Sequence, residues 1–143
     1  MTAKPKSAYE LTGGLSWFPR MLDKIRLYSK NELHPDFHTN LGILRSMDGF
    51  CCQYLHIDYA DLKDRVLRGG TDEEILEWCF ERGKKLNRIE LMVWNEFVRK
   101  FGWNDLASPL LEKSKAEIGL TARDDVMTMV EFMEIDEGRK PGH

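Results

Sequence analysis

The sequence predicts an all-α fold: a compact single domain of about six or seven short helices packed around one strongly apolar helix. Helix start signals recur, because Thr71 and Asn87 each stand three residues before a glutamate, as in a capping box. Helix stop signals follow at Gly83 and Gly102, since glycine readily adopts the positive φ of a helix C-terminus. No segment alternates apolar and polar side chains over the length of a strand, so no strand is predicted.

Composition indicates an ordinary globular protein. Its 143 residues are 42% hydrophobic and 31% charged, which suits one apolar core with solvated helix faces. The net charge of −3 gives no general attraction to nucleic acid or anionic membranes. No apolar run approaches the roughly 18 residues that span a bilayer, and residues 1–10 lack the apolar stretch of a secretory signal. The odd count of three cysteines favours a reducing, cytoplasmic location.

The first helix is predicted to include Pro19 in its first turn, where the missing N–H of proline carries no cost. Its apolar stripe has the spacing of one helix face: Phe18, Met21, Leu22, Ile25 and Tyr28. Ahead of it, Gly13-Gly14 is expected to form a flexible joint, and residues 1–10 are expected to be flexible.

Residues 31–47 break the helical periodicity, because Pro35 restricts the residue before it to extended geometry. We expect an ordered loop with about one helical turn, and long ordered loops tend to hold functional residues. Asp48 and Asp58 are predicted to cap two short helices, the second of which ends at Gly69-Gly70.

The later helices follow the same logic. The helix from Asn87 to Phe101 has an apolar arc over nearly half of its circumference, which predicts the central helix of the core. A further helix starts at residue 104 or 108 and ends near residue 119. A last helix covers residues 124–136, and residues 138–143 are expected to form a flexible tail.

Several segments resemble the DUF5069 family. The most specific of them is the block Arg20-Met21-Leu22-Asp23-Lys24. The resemblance is carried by residues 19–26, 34–36, 51–52, 70–79, 94–97, 124–125 and 136–139. This family comprises small bacterial proteins of unknown function, so the resemblance implies a single compact domain of bacterial cytosolic origin. It supplies no reaction, cofactor or catalytic residue.

Arg20, Asp23 and Lys24 form the first candidate site, because their spacing places them on one helix face. They lie opposite the apolar stripe, so one interpretation is a solvated face with a weak local ion pair, or a salt bridge between helices. The alternative is an anion site in which two cations converge and Asp23 fixes their rotamers.

His34, Asp36 and His38 form the second candidate site. Imidazole and carboxylate groups are zinc ligands, and Cys51 and Cys52 would complete a site if the loop folded back. The histidine spacing is helical, yet a proline lies inside it, and no Cys-x-x-Cys pair is present. Hydrogen bonds to backbone or water therefore remain an alternative, and we assign no metal and no cofactor.

The three cysteines, Cys51, Cys52 and Cys79, lie in apolar contexts that are typical of buried thiols. A nucleophilic thiolate needs an electropositive, partly open setting, with His38 or His56 as its base. Sequence alone does not bring these groups together, so Cys–His catalysis remains an alternative.

Three features receive weaker interpretations. The glycine turn before the Thr71 helix resembles an anion nest, but three consecutive carboxylates follow and repel phosphate. The basic residues near Lys84 lie between acidic segments, so nucleic-acid binding is not favoured. Trp17 and Trp103 flank helix ends and suit either core packing or the lining of a cleft or partner surface.

The function stays open between three classes. The first, which we favour, is a small cytoplasmic helical module that binds a partner, with self-association as one option. The second is a metal- or anion-dependent enzyme that uses the His34–His38 loop and the Arg20, Asp23 and Lys24 cluster. The third is a nucleic-acid-binding protein. Convergence of the candidate site residues on one cavity would favour the second class.

Overall fold

The computed structural model describes residues 2–142 and confirms the all-α fold class. This part of the chain contains seven α-helices, one 3-10 helix and a small two-stranded hairpin that precedes the first helix. The sequence does not predict the hairpin, because its strands contain two residues each, too few for an alternating pattern. Gly13 and Gly14 form its turn with φ angles of 54° and 81°, so the expected flexible joint is a tight turn.

The regular elements follow one another along the chain with short connections. In order they are β1 Leu11–Thr12, β2 Leu15–Ser16, α1 Phe18–Ser29, the 3-10 helix Pro35–Asn40, α2 Met47–Tyr54, α3 Tyr59–Leu67, α4 Asp72–Arg82, α5 Arg88–Lys100, α6 Ser108–Glu117 and α7 Met129–Asp136. The 3-10 helix lies within the expected ordered loop and makes about two turns rather than the one expected, and His34 is its N-cap. No helix within residues 2–142 combines the length and the apolar character that a membrane span requires.

The chain divides into two compact units, one up to Met92 and one from Val93 onward. Helices α1 to α4 belong to the first unit and α6 and α7 to the second, while α5 contributes residues to both. That residues 1–143 form a single helical bundle domain therefore stays a prediction.

Helix α1 carries the largest set of buried residues, seven in all, and it packs against α3. The prediction that the Asn87–Phe101 helix is the central one is wrong, because α5 buries only Trp94 and Val98. Its other apolar side chains are partly or largely exposed, and Phe97 is 39% exposed. A wide apolar arc shows that a helix has an apolar surface, but it does not show how much of that surface is covered.

The N-terminal segment makes defined contacts with the rest of the first unit. Ala3 pairs with Leu33 in an isolated parallel bridge, and Pro5 and Ala8 are buried. These contacts tie parts of the segment to the first unit, and the flexibility of residues 1–10 stays a prediction; residue 1 lies outside the described residues.

The predicted capping boxes are both confirmed. The Glu74 amide donates to Thr71 Oγ1 at 3.2 Å, and the Thr71 amide donates to the Glu74 carboxylate at 3.0 Å. Asn87 and Glu90 make the same reciprocal bonds at 2.9 and 3.0 Å. These bonds satisfy backbone donors that a helix start otherwise leaves unpaired.

Glycine occurs at the two predicted helix ends for different structural reasons. Gly102 has the expected positive φ, at 101°. Gly83 has a φ of −111°, so positive φ does not explain it. A Cβ at Gly83 would lie 2.1 Å from the Leu55 carbonyl oxygen, and this close approach is what requires glycine there.

The second unit contains α6 and α7 and a small apolar core. The buried members of that core are Leu111, Leu120, Val126, Met129 and Phe132. Helix α7 starts behind its N-cap Thr128, later than the predicted residue 124. The buried Lys115 ammonium donates to the carbonyls of Arg123 and Val126 at 2.8 and 3.2 Å, and so fixes the loop between the helices.

The C-terminal residues are tied to the second unit, although we expect residues 138–143 to be flexible. Arg139 pairs with Glu134 and Glu137. Arg123 donates to the Gly142 carbonyl at 2.9 Å. The final residue, His143, lies outside the described residues.

Candidate functional site

A buried carboxylate, Asp48, joins the polar groups at the start of α1 and α2. The prediction that Asp48 caps α2 is wrong, because Ser46 is the N-cap and accepts a hydrogen bond from the Gly49 amide. Asp48 instead lies inside the helix and is 1% exposed. Its Oδ1 accepts from Trp17 Nε1 at 2.8 Å, and its Oδ2 lies 2.8 Å from Lys24 Nζ. The Asp48 cluster, as we name it, comprises Trp17, Arg20, Lys24 and Asp48.

Arg20 and Lys24 are buried, so the interpretation as a solvated helix face is wrong for both; they are 3% and 4% exposed. Arg20 Nη1 donates to the Lys6 carbonyl at 2.9 Å. The Arg20 guanidinium lies 5.1 Å from the Trp17 ring centroid and 5.6 Å from that of Phe37. The N-terminal segment and the 3-10 helix thus contact this face of α1, which helix periodicity alone does not reveal.

Asp23 has a different role from the one predicted for it. Its carboxylate accepts a hydrogen bond from the Lys6 amide at 2.9 Å, so it anchors the N-terminal segment. Of the two predicted cations, Lys24 forms an ion pair with Asp48 of α2, and Arg20 donates to the Lys6 carbonyl. Both cationic groups of the predicted anion site therefore have partners within the protein, and for Lys24 that partner is a carboxylate.

Trp17 links these contacts to a strained backbone. Its φ of 73° places it in the left-handed region, which costs about 1–2 kcal/mol for an L-residue. The indole is 3% exposed, so the interpretation of Trp17 as the lining of an open cleft or partner surface is wrong. The bond to Asp48 and the Lys24 ammonium, 5.4 Å from the ring centroid, hold it in place. Such strain persists where surrounding contacts fix a residue.

A cleft of about 460 Å³ is formed by α1, the 3-10 helix and α3. We call it the α1–α3 cleft, and it is lined by Ile25, Tyr28, Ser29, His38, Leu41, Tyr59, Lys63 and Leu67. Its volume is in the range of small-molecule sites, roughly 300–1,000 Å³. These lining residues include a lysine and a histidine but no carboxylate.

Of the site residues predicted from the sequence, His38 is the one among the residues that line the cleft. The Leu33 carbonyl oxygen lies 2.9 Å from His38 Nε2. Because a carbonyl only accepts, Nε2 carries a proton and Nδ1 is the acceptor of the neutral ring. The Tyr28 ring packs edge-on against the imidazole, with 4.9 Å between centroids. Burial, and then the Asp48 carboxylate, raises the pKa of Tyr59 above its ordinary value, so its phenol remains a hydrogen-bond donor.

Gly42 connects the Asp48 cluster to the cleft. Its amide donates to Asp48 Oδ2 at 3.3 Å. Its φ is 64°, and a Cβ at this position would lie 2.4 Å from the Tyr59 ring. Leu41, the preceding residue, forms part of the cleft wall. The buried carboxylate therefore fixes the loop that packs against Tyr59 and completes the cleft.

His34 and Asp36 form a local cap and do not line the cleft. The Asp36 amide donates to His34 Nδ1 at 3.2 Å, and the Asp36 side chain is 84% exposed. Within residues 2–142, no group of three or more histidine, cysteine or acidic side chains is arranged to hold a metal ion. The zinc interpretation of this loop therefore finds no support in the arrangement of its side chains.

Cys51, Cys52 and Cys79 are free thiols, and all three are buried. Burial raises the pKa of each of them, for Cys52 and for Cys79 to about 12. Cys52 Sγ lies 3.9 Å from Met21 Sδ, a contact between packed sulfur atoms. A protonated, buried thiol is a poor nucleophile, so the Cys–His alternative finds no support here.

A family model described as a domain of unknown function, DUF5069, matches residues 2–139. The chain belongs to the DUF5069 family. Comparison with curated proteins finds no match. Membership of DUF5069 confirms the resemblance seen in the sequence and assigns no activity, and the bacterial origin stays a prediction.

The sequence signal for part of the cleft of this DUF5069 chain is present but easily missed. Tyr59, Lys63 and Leu67 follow one another at four-residue spacing, which places them on one face of α3. Ser46 stands three residues before Gly49 and was an available alternative cap for α2. With Ser46 as the cap, Asp48 falls inside the helix.

Proposed function

We propose that the protein is a cytoplasmic binding module whose α1–α3 cleft holds a small organic anion with an apolar or aromatic body. The observation that carries the proposal is the cleft lining, which has a lysine and a histidine but no carboxylate in a chain of net charge −3. A locally positive cleft attracts a small anion, while the net charge disfavours a polyanion such as nucleic acid.

The walls of the cleft suit the apolar part of such a ligand. Ile25, Leu41 and Leu67 supply aliphatic surface, and Tyr28 and Tyr59 supply aromatic rings. Removing apolar surface from water contributes about 25 cal/mol per Å². Aromatic ligands gain further from offset or edge-on packing against the tyrosine rings.

The polar groups of the cleft suit the anionic part. Lys63 brings an ammonium group, and the Tyr59 phenol remains a donor because its pKa is raised. The Ser29 hydroxyl adds a further donor. Hydrogen bonds from charged donors to an anion are stronger than those between neutral groups.

The alternative of a metal- or anion-dependent enzyme receives less support. It depends on Arg20 and Lys24, whose cationic groups contact the Lys6 carbonyl and the Asp48 carboxylate. Of its histidine loop, the cleft includes His38. Self-association and a protein partner stay predictions.

The test is an NMR titration of the ¹⁵N-labelled chain with phenyl phosphate and with benzoate, and with benzyl alcohol as the neutral comparator. We expect saturable shifts of the Leu41, Tyr59 and Lys63 amides with the two anions and none with the alcohol. The absence of saturable shifts with either anion, or equal binding of the alcohol, would refute the proposal.

A matched pair of lysine variants tests the charge. Lys63→Gln should weaken anion binding at least about tenfold, because it removes a charged hydrogen-bond donor. Lys85→Gln changes an exposed lysine of the same unit outside the cleft and should leave binding unchanged. Equal affinities of the two variants would contradict the assigned role of Lys63.

A further inference from the structure

A second concavity of the first unit is formed by α3 and α4. It measures about 450 Å³ and is lined by Asp61, Asp64, Leu67, Arg68, Trp78 and Arg82. We propose that this α3–α4 groove binds a free α-amino acid with an apolar side chain, in its zwitterionic form. The proposal does not depend on the function proposed for the α1–α3 cleft, with which the groove shares only Leu67 among its lining residues.

The Arg82 guanidinium lies between an aromatic ring and a carboxylate of the groove. It lies 5.5 Å from the Trp78 ring centroid, and its Nη2 lies 3.4 Å from Asp61 Oδ2. An aromatic face beside a carboxylate is a favourable setting for a positive group. Asp61 and Arg82 thereby match each other's charge, which leaves Asp64 and Arg68 as the other charged groups of the lining.

Asp64 of α3 and Arg68, the C-cap of that helix, have opposite charges and stand four residues apart, a spacing at which such residues commonly pair. Within the part of the chain that the structure describes, neither side chain forms an ion pair or a hydrogen bond. Both side chains line the groove, and neither is paired within residues 2–142. They therefore match a ligand that carries one positive and one negative charge.

An α-amino acid meets these requirements together. Cβ atoms at this helical spacing are about 5–6 Å apart, so the two side chains can reach the two charged groups of one small molecule. Its ammonium group pairs with Asp64, and its carboxylate accepts from the Arg68 guanidinium, which can form two parallel bonds. Leu67 and Trp78 then face the apolar side chain. A ligand with one charge leaves Asp64 or Arg68 unmatched.

The test uses L-phenylalanine as the probe, with the Trp78 indole N–H signal of the ¹⁵N-labelled chain as the readout. N-acetyl-L-phenylalanine lacks the ammonium charge, and L-phenylalaninamide lacks the carboxylate. We expect a saturable shift of the indole signal with L-phenylalanine and its loss with both derivatives. No saturable shift with L-phenylalanine, or equal shifts with either derivative, would overturn the proposal.

Charge-removing variants provide the second part of the test. Asp64→Asn and Arg68→Gln should each abolish the saturable shift, while the remaining amide spectrum shows that the fold is retained. Glu73→Gln and Lys85→Gln change exposed charges outside the groove and should leave the shift intact. Retained binding in Asp64→Asn or Arg68→Gln would overturn the proposal. The signals of Leu41 and Lys63 report on the other cleft, so the two proposals fail separately.

Discussion

At the scale of single residues, one buried carboxylate connects separate parts of the first unit. Asp48 contacts the indole at the start of α1, the ammonium of Lys24 in the middle of α1, and the amide of Gly42 in the following loop. A buried charge is stable only when it is paired and hydrogen-bonded, and Asp48 is both. Its cost of desolvation is therefore offset by contacts that also position the cleft wall.

We predict that Asp48→Ala lowers the free energy of unfolding by about 3–5 kcal/mol, because it leaves the Lys24 ammonium buried without its carboxylate. Urea unfolding followed by far-ultraviolet circular dichroism measures the change. Asp36→Ala, at a carboxylate whose side chain is 84% exposed, serves as the control and should change stability by less than about 0.5 kcal/mol. Similar stabilities of the two variants would contradict this role of Asp48.

The cysteines lead to a prediction about pH. Because burial raises the pKa of Cys52 and Cys79 to about 12, both thiols are protonated in the native state at pH 8. We expect a thiol reagent to label the native protein only as fast as the protein unfolds, and to label all three cysteines at once in urea. Labelling of the native protein at the rate of free cysteine would show that the thiols are accessible.

The same pKa shift determines how stability depends on pH. Above the ordinary pKa of a thiol, the unfolded chain releases protons that the native protein retains on Cys52 and Cys79. The free energy of unfolding should therefore fall as the pH rises from the ordinary thiol pKa toward about 12. Replacing both cysteines by alanine should reduce this dependence.

At the scale of elements, the features that depend on neighbouring residues are the ones that the sequence predicts. The capping boxes at Thr71 and Asn87 are confirmed, because each is complete within four residues. Burial of the α1 face that carries Arg20 and Lys24 is not predictable from α1 itself, because the contacts come from Lys6, from Phe37 of the 3-10 helix and from Asp48 of α2. Local spacing shows which side chains share a face, and it does not show what packs on that face.

The cleft illustrates the same limit. Its lining residues come from α1, from the segment around His38 and from α3, which are distant in sequence. Each contribution has a recognisable local pattern, but their meeting depends on the contacts of Asp48 and Gly42. A buried aspartate and a glycine with positive φ have no distinctive sequence pattern, so the site emerges only from the packed structure.

At the scale of the whole molecule, the two compact units raise the question of whether they unfold as one cooperative unit or as two. The first unit contains the buried polar contacts of Asp48, and the second contains the Lys115 ammonium that bonds two loop carbonyls. Contiguous regions of a protein often unfold locally as separate cooperative units, with different free energies. Variants placed in each unit can therefore distinguish two cooperative units from the single domain that the sequence predicts.

We predict that Asp48→Asn accelerates native-state hydrogen exchange in α1 and α3 and leaves the rates in α6 and α7 unchanged. Lys115→Met should accelerate exchange in α6 and α7 and leave the rates in α1 and α3 unchanged, because it removes both bonds to the carbonyls of Arg123 and Val126. Lys113→Met, at an exposed lysine of the same helix, is the matched control and should alter neither set. If Asp48→Asn and Lys115→Met each accelerate exchange equally in all four helices, the chain opens as one cooperative domain, and its division into two units describes packing alone.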